Sequence, residues 1–290
     1  MSDDVTRFLA ELGREDRAAR TIEAYGSDLR AFAEWFASSV SETFAAATIT
    51  PTDVRDYRSH LQTVAGASPS TINRRLAALR RFCQWAKASG LVSEVSTDRV
   101  KNVAAQELAP RSLSKRDVEK FVRAVERHGE RRDLAVVLVL RHTGIRVGEL
   151  CALRLGDVSI GERKGSLTVR SGKGSKFRVV PLNVDARRAI RDYLAVRPVV
   201  AHDSLFVGQR GDGIQPRGVE LLMARYGRLA GVEATPHVLR HSFARHSLDA
   251  GASLVDVAAA LGHRSLTTTA KYTKPSMADL ERLVERLETT

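Results

Sequence analysis

Two arginines, two histidines and a tyrosine stand in local settings that suit chemistry on a phosphodiester. Tyr272 closes the stretch Leu261-Gly262-His263-Arg264-Ser265-Leu266-Thr267-Thr268-Thr269-Ala270-Lys271-Tyr272. Upstream lie His237-Val238-Leu239-Arg240-His241 and, further back, Thr143-Gly144-Ile145-Arg146-Val147-Gly148-Glu149-Leu150. Breaking a phosphodiester requires a cationic group to hold oxygens on which negative charge develops. Arg146 and Arg240 fit that task, because guanidinium binds phosphate through a planar fork and stays charged at any working pH. Tyr272 is the candidate nucleophile; a free phenol has a pKa of about 10 and needs nearby cations or a base. The leaving 5′-oxygen needs a proton, and Lys173 is the candidate donor, with Lys176 a weaker rival. His237 and His263 are suited to donate to the phosphate or to shuttle protons.

A phosphotyrosine ester stores nearly the energy of the bond it replaces, so a second hydroxyl can reverse the attack without ATP. The sequence has no G-x-x-x-x-G-K-[ST] loop. It also has no His/Cys/Asp cluster at zinc-ligand spacing. The expectation is an enzyme that cuts and rejoins DNA with no cofactor. His241 is assigned to structure, since adjacent helix positions such as 240 and 241 do not share a face.

The composition agrees. Lysine and arginine total 46 against 34 acidic residues, a formal charge of +12, which favours a polyanionic partner. With 43% hydrophobic residues the chain has material for ordinary globular cores. No run is apolar enough to span a bilayer, and Met1-Ser2-Asp3-Asp4 does not resemble the start of a signal peptide, so a cytoplasmic protein is expected. Cys83 and Cys151 lie far apart in apolar helical patterns and read as core thiols.

The elements that must position these groups are mostly helical. Ile22, Tyr25, Leu29, Phe32 and Phe36 recur at steps of three and four. Pro51 opens a second helix, and Ser68-Pro69 caps and opens a third, which carries Ile72, Leu76, Leu79, Phe82 and Trp85 or Ala86 before Gly90. That helix also holds Arg74, Arg75, Arg80 and Arg81. These form a solvated face by default, and phosphate contacts if the second half acts on DNA. Residues 92–112 lose the stripe and read as an interdomain linker that would let two basic domains close around a duplex.

Beyond it, Ser114 caps a helix carrying Val118, Phe121, Val122 and Val125, and another covers Leu134 to Arg141. Thr143-Gly144 ends that one, and a new helix begins near Arg146. Ser166–Arg170 and Phe177–Leu182 flank Ser171-Gly172-Lys173-Gly174-Ser175, a hairpin with Lys173 at its tip. Helices are expected at about 184–196, 219–230, 236–249, 254–261, 267–273 and 277–287.

Taken together, Gly144-Ile145-Arg146-Val147-Gly148-Glu149-Leu150, Gly172-Lys173-Gly174 with Arg178-Val179-Val180-Pro181-Leu182, His237-x-x-Arg240-His241, Leu261-Gly262-His263 and Tyr272 resemble the tyrosine recombinases, most of all the bacterial Xer recombinases and phage-type integrases. Thr21-Ile22-Glu23-Ala24-Tyr25 and Ser70-Thr71-Ile72-Asn73-Arg74-Arg75-Leu76 extend the likeness into the first half. The resemblance implies a mainly α fold with a small β-sheet: an N-terminal helical core-binding, SAM-like domain at 1–91, a linker at 92–112 and a catalytic domain at 113–290.

It also implies that Arg146 and Arg240 clamp the scissile phosphate and that Lys173 is the general acid. His237 would take the tyrosine proton or hold the phosphate, His263 would donate to a phosphate oxygen, Tyr272 would be the nucleophile, and Glu149 would buttress the site. The partners implied are double-stranded DNA and further protomers, in a homo- or hetero-tetramer on two DNA sites. The stripe Leu280, Leu283, Val284 and Leu287 is suited to protomer contact or to folding back on its own domain.

The role implied is site-specific recombination of the Xer type, the resolution of chromosome dimers, with a second recombinase and a cell-division DNA translocase as partners. The linker is poor in proline and Lys274-Pro275 follows Thr273, which keeps a mobile-element integrase open as the alternative. A type IB topoisomerase-like relaxing enzyme and a DNA-binding protein that does not cut are the rivals from other classes.

Overall fold

The computed structural model describes residues 2–40, 44–104, 110–170, 177–263, 265–274 and 284. Lys173, Lys176 and the hairpin tip lie outside these residues, as does the terminal stripe apart from Val284, which is exposed. The chain divides into two compact units, Met1–Gln106 and Glu107–Thr290.

The first unit is helical: α1 (Asp3–Arg14), α2 (Ala19–Val40), α3 (Pro51–Thr63) and α4 (Pro69–Ala88). The starts of α3 and α4 follow cap chemistry. Thr50 Oγ1 accepts from Asp53 N at 3.3 Å, Ser68 Oγ accepts from Thr71 N at 3.3 Å, and a proline follows each cap. The apolar stripes meet in an aromatic core. Phe32 packs edge-on against Tyr57 at 4.9 Å and against Phe44 at 5.5 Å, and Phe8 packs edge-on against Phe82 at 5.6 Å.

The stretch expected to be an open linker belongs in good part to this unit. Val100 is buried in its core, and Val95 and Val103 pack against it. Asn73 fastens Val103 at both backbone groups, donating to its carbonyl at 2.9 Å and accepting from its N–H at 2.8 Å. Arg58 donates to Lys101 O at 3.0 Å, and Arg80 to Val100 O at 3.1 Å. The four arginines of α4 are likewise engaged internally. Arg74 pairs with buried Asp28, Arg75 reaches Tyr57 Oη at 3.4 Å, and Arg81 holds Glu15 at 2.8 and 3.0 Å. Arg74 still exposes about half its side chain.

The second unit contains α5 (Lys115–His128), α6 (Arg131–Thr143) and α7 (Val147–Cys151). A three-stranded antiparallel sheet follows, in the order β1 (Val158–Ile160), β2 (Gly165–Arg170), β3 (Phe177–Pro181). Then come α8 (Val184–Leu194), α9 (Pro216–Ala230), α10 (Pro236–Asp249), α11 (Leu254–Leu261) and α12 (Leu266–Ala270). The register pairs Leu167 with Val180 and Val169 with Arg178, so Leu167, Val169 and Val180 enter the core. The apolar centre of α6, from Leu134 to Leu140, runs through the middle of that core, and its residues from Ala135 to Leu140 are all buried. The start of the unit is pinned to α10: Leu113 N donates to Ser242 Oγ at 2.8 Å, and His246 Nε2 donates to Leu113 O at 3.0 Å. Among the described residues no helix is long and apolar enough to cross a membrane.

α6 ends where a glycine is required. Gly144 takes φ +61°, and a Cβ there would stand 2.4 Å from the Phe243 ring and 2.9 Å from Leu261. Gly231, which ends α9 at φ +62°, has open space where its Cβ would be. Gly144→Ala should therefore cost about 2–4 kcal/mol, a left-handed penalty plus overpacking. Gly231→Ala should cost only about 1–2 kcal/mol, from the backbone alone. Urea unfolding of the two variants measures the difference, and equal losses would mean that Phe243 simply moves aside.

Candidate active site

The turn at Gly144 delivers Arg146 to the head of α7. There the backbone N–H of Arg146 donates to Glu149 Oε2 at 2.8 Å and its Nη1 donates to Glu149 Oε1 at 2.9 Å. The spacing of three residues makes this possible, since a carboxylate at the third helical position reaches back to the helix entry. Arg178, from β3, completes the cluster with a two-pronged grip on the same carboxylate, at 3.0 and 2.8 Å. Burial works against the Glu149 charge, but the hydrogen bonds and charges of Arg178 and Arg146 prevail and hold its pKa below the usual carboxylate range.

Arg240 comes from the buried side of α10 and is only 4% exposed. Its Nη1 donates to Gly144 O at 2.5 Å, and its Nη2 to Leu261 O at 2.9 Å. Burial, with the charge of Arg146 in second place, lowers its pKa to about 10, so it remains a cation at neutral pH. Nη2 also lies 3.0 Å from His263 Nε2. Arginine only donates, so Nε2 must accept. A neutral His263 then carries its proton on Nδ1, which donates to Thr269 Oγ1 at 2.8 Å. Burial and the positive charges of Arg240 and Arg146 bring the His263 pKa to about 4, which keeps the ring neutral.

Tyr272 follows α12 and is 3% exposed. Its ring stacks against His263 at 6.4 Å, and Lys271 Nζ lies 5.2 Å from its centroid. Burial raises the phenol pKa, while Arg240 and Arg146 pull the other way. The partner of the phenol is His241, whose Nδ1 lies 2.9 Å from the oxygen. His237 is exposed, one helical turn away, with its ring 6.4 Å from that of His241.

The structure thus gathers Arg146, Glu149, Arg240, His263 and Tyr272, places His237 at the margin, and puts His241 against the phenol. His241, which the sequence assigns to structure because it does not share a face with Arg240, is the partner of the phenol. The usable signal was the spacing of four between His237 and His241, which puts both on one face of α10. Arg178 is the other residue whose place beside Glu149 the sequence alone does not indicate. Lys173 lies outside the described residues. Among the described residues no group of three or more His, Cys, Asp or Glu side chains is placed to hold a metal ion.

His142, His241 and His263 all have pKa values lowered from 6.5 to about 4, in each case chiefly by burial. A lowered histidine pKa means that the unfolded chain binds protons the folded chain refuses. Stability is therefore intact above pH 6.5 and is lost as the pH falls from there toward 4. Thermal unfolding across that range should show a falling midpoint, with a shallower fall for His142→Gln. A flat profile would mean that these imidazoles are not held neutral.

The chain matches the Phage integrase family over residues 111–279. It matches the Phage integrase N-terminal SAM-like domain over residues 5–90. It is 35% identical to tyrosine recombinase XerD of Ralstonia nicotianae over 284 residues, covering 94% of this chain and 89% of that protein. It is 28% identical to the TnP I resolvase of Bacillus thuringiensis over 292 residues, covering 98% and 100%. A crystal structure of the XerH site-specific recombinase, bound to palindromic difH substrate in a post-cleavage complex, shares the fold. Its TM-score is 0.77 at 23% identity, with 96% of this chain and 84% of that chain covered. The chain belongs to the phage integrase family of tyrosine recombinases, enzymes that cleave and rejoin DNA.

Proposed function

We propose that this recombinase acts at specific sites through a 3′-phosphotyrosine formed by Tyr272. The observation that carries the reading is a buried phenol beside a buried guanidinium: Arg240 Nη2 lies 3.0 Å from His263, whose ring stacks on that of Tyr272, and the charge of Arg146 acts on both Arg240 and the phenol. The Tyr272 oxygen attacks the scissile phosphorus and loses its proton to a histidine. Arg146 and Arg240 stabilise the charge on the nonbridging oxygens. The 5′-oxygen leaves with a proton from Lys173. The 5′-hydroxyl of a second strand then attacks the phosphotyrosine and restores both the tyrosine and a phosphodiester. The cations are supplied by arginine and the bond energy is kept in the ester, so the cycle calls for neither metal nor nucleotide.

The phenol is covered and bound to His241 in this structure. Tyr272 must be uncovered before its oxygen meets a phosphate. Exchange between two duplexes needs four such tyrosines, hence a tetramer, homomeric or paired with a second recombinase. Resolution of chromosome dimers, with a cell-division DNA translocase as partner and the cytoplasm as location, is the role most in keeping with the relatives named Xer. The full-length similarity to a resolvase supports a second reading, recombination within a mobile element.

Nicked suicide duplexes from candidate chromosomal and mobile-element sites test the chemistry. The wild type should form a covalent adduct on a denaturing gel without divalent metal, and Tyr272→Phe should form none. Arg146→Ala and Arg240→Ala should each slow adduct formation by roughly 10²–10³-fold, as for loss of one transition-state donor. An adduct that persists in Tyr272→Phe would assign the nucleophile elsewhere.

Binding should also depend steeply on salt. A protein that neutralises about six to ten phosphates loses roughly 10³–10⁵ in affinity between about 50 and 200 mM salt. A titration that shows equal affinity at both concentrations would rule out the phosphate-dominated contact expected from the +12 charge.

A further inference from the structure

Arg178 has no part in the chemistry above, yet it joins three of the elements that carry it. It leaves β3 and is nearly enclosed, with its side chain 18% exposed. Nη1 and Nη2 donate to the two oxygens of Glu149, at 3.0 and 2.8 Å. Nε donates to Ala260 O at 3.0 Å, three residues before His263. The turn between them is shaped around this guanidinium. Gly262 takes φ +66°, and a Cβ there would lie 2.7 Å from Arg178 Nη1. No residue but glycine fits both the backbone and the space.

The arrangement sets a charge balance. Glu149 faces two arginines, so the trio keeps one net positive charge. Alone with Glu149, Arg146 would be drawn into a two-pronged pair with no net charge, because that is the geometry guanidinium and carboxylate prefer. Arg178 already fills that position. Arg146 is left with one side-chain bond to Glu149, through Nη1, and its side chain remains 45% exposed. The rest of its fork is open to an incoming anion.

We infer that Arg178 is a positioning residue that occupies Glu149 so that Arg146 is presented to the scissile phosphate as an uncompensated cation, while anchoring the turn that bears His263. The inference rests on the proposed phosphate-clamping role of Arg146.

The test is a double-mutant comparison under single-turnover conditions on nicked duplex. Arg178→Gln should slow formation of the Tyr272 adduct by roughly 100-fold, in the range for loss of an electrostatic stabiliser. Arg178→Gln/Glu149→Gln removes the carboxylate that would otherwise neutralise Arg146, and should recover at least about tenfold of that loss, a coupling expected of residues in one network. If Arg178 only holds the fold together, the double variant will be no faster than Arg178→Gln, and the inference fails.

A readout independent of cleavage is the rate at which phenylglyoxal modifies Arg146, followed by peptide mass spectrometry. It should fall several-fold in Arg178→Gln and return in the double variant. Unchanged reactivity across the set would overturn the inference. Should the wild type form no adduct at Tyr272, the functional reading fails while the order of Arg146 reactivities still decides the role of Arg178. Urea unfolding checks each variant. If Arg178→Gln does not fold, Arg178→Lys compared with Arg178→Lys/Glu149→Gln carries the same comparison.

Discussion

A buried guanidinium governs this catalytic unit. Arg240 is almost wholly removed from water, and a buried charge is tolerated only when its donors are satisfied. Two backbone carbonyls do much of that work, Gly144 O at the end of α6 and Leu261 O at the end of α11. Both carbonyls are available because both helices stop there in left-handed glycines, Gly144 and Gly262. The requirement to satisfy one cation therefore fixes where two helices end. Each ending places a further functional group, Arg146 two residues after Gly144 and His263 directly after Gly262.

Glu149 plays the complementary part for the exposed side of the site. A single carboxylate organises the head of α7, the side chain of Arg146 and the β3 residue Arg178. The two clusters are coupled electrostatically. Arg146 depresses the pKa of Arg240, and Glu149 partly restores it. Neither arginine can be understood alone, because the repulsion between them is what an entering phosphate would relieve.

Much of this was legible in the sequence where the controlling interactions are local. The stop at Gly144, the fresh start near Arg146 and the span of α10 follow from glycine, capping and periodicity, which act over a turn or two of chain. The four-residue spacing of His237 and His241 was equally local but was overlooked, because His241 was weighed against Arg240 alone. Other features depend on partners far away in sequence. β1, by contrast, pairs with the nearby Gly165–Leu167, but three residues are too few to show a period. The segment through Val103 is held by Asn73, a side-chain-to-backbone bond that leaves no periodic trace. Arg74 and Arg81 look like a free basic face along α4, but Asp28 and Glu15 reach them from elsewhere in the unit. Arg178 looked like one more strand residue, since its meaning lies on α7 and α11.

Both ring nitrogens of His263 have partners within the protein. His263 Nε2 accepts from Arg240, so its proton sits on Nδ1 with Thr269, and in that state Nε2 has nothing to donate to a phosphate. The surrounding cations that keep the imidazole neutral are the same groups a phosphate would engage. An anion placed against Arg240 and Arg146 offsets their charge at His263, which raises the imidazole pKa and favours a proton on Nε2. It also competes with Nε2 for the N–H groups of Arg240. Both effects point the same way: on the proposed mechanism, phosphate binding would convert His263 from an acceptor for arginine into a donor for the phosphate. On that mechanism the protonation state that the chemistry needs would follow from the charge of the substrate itself.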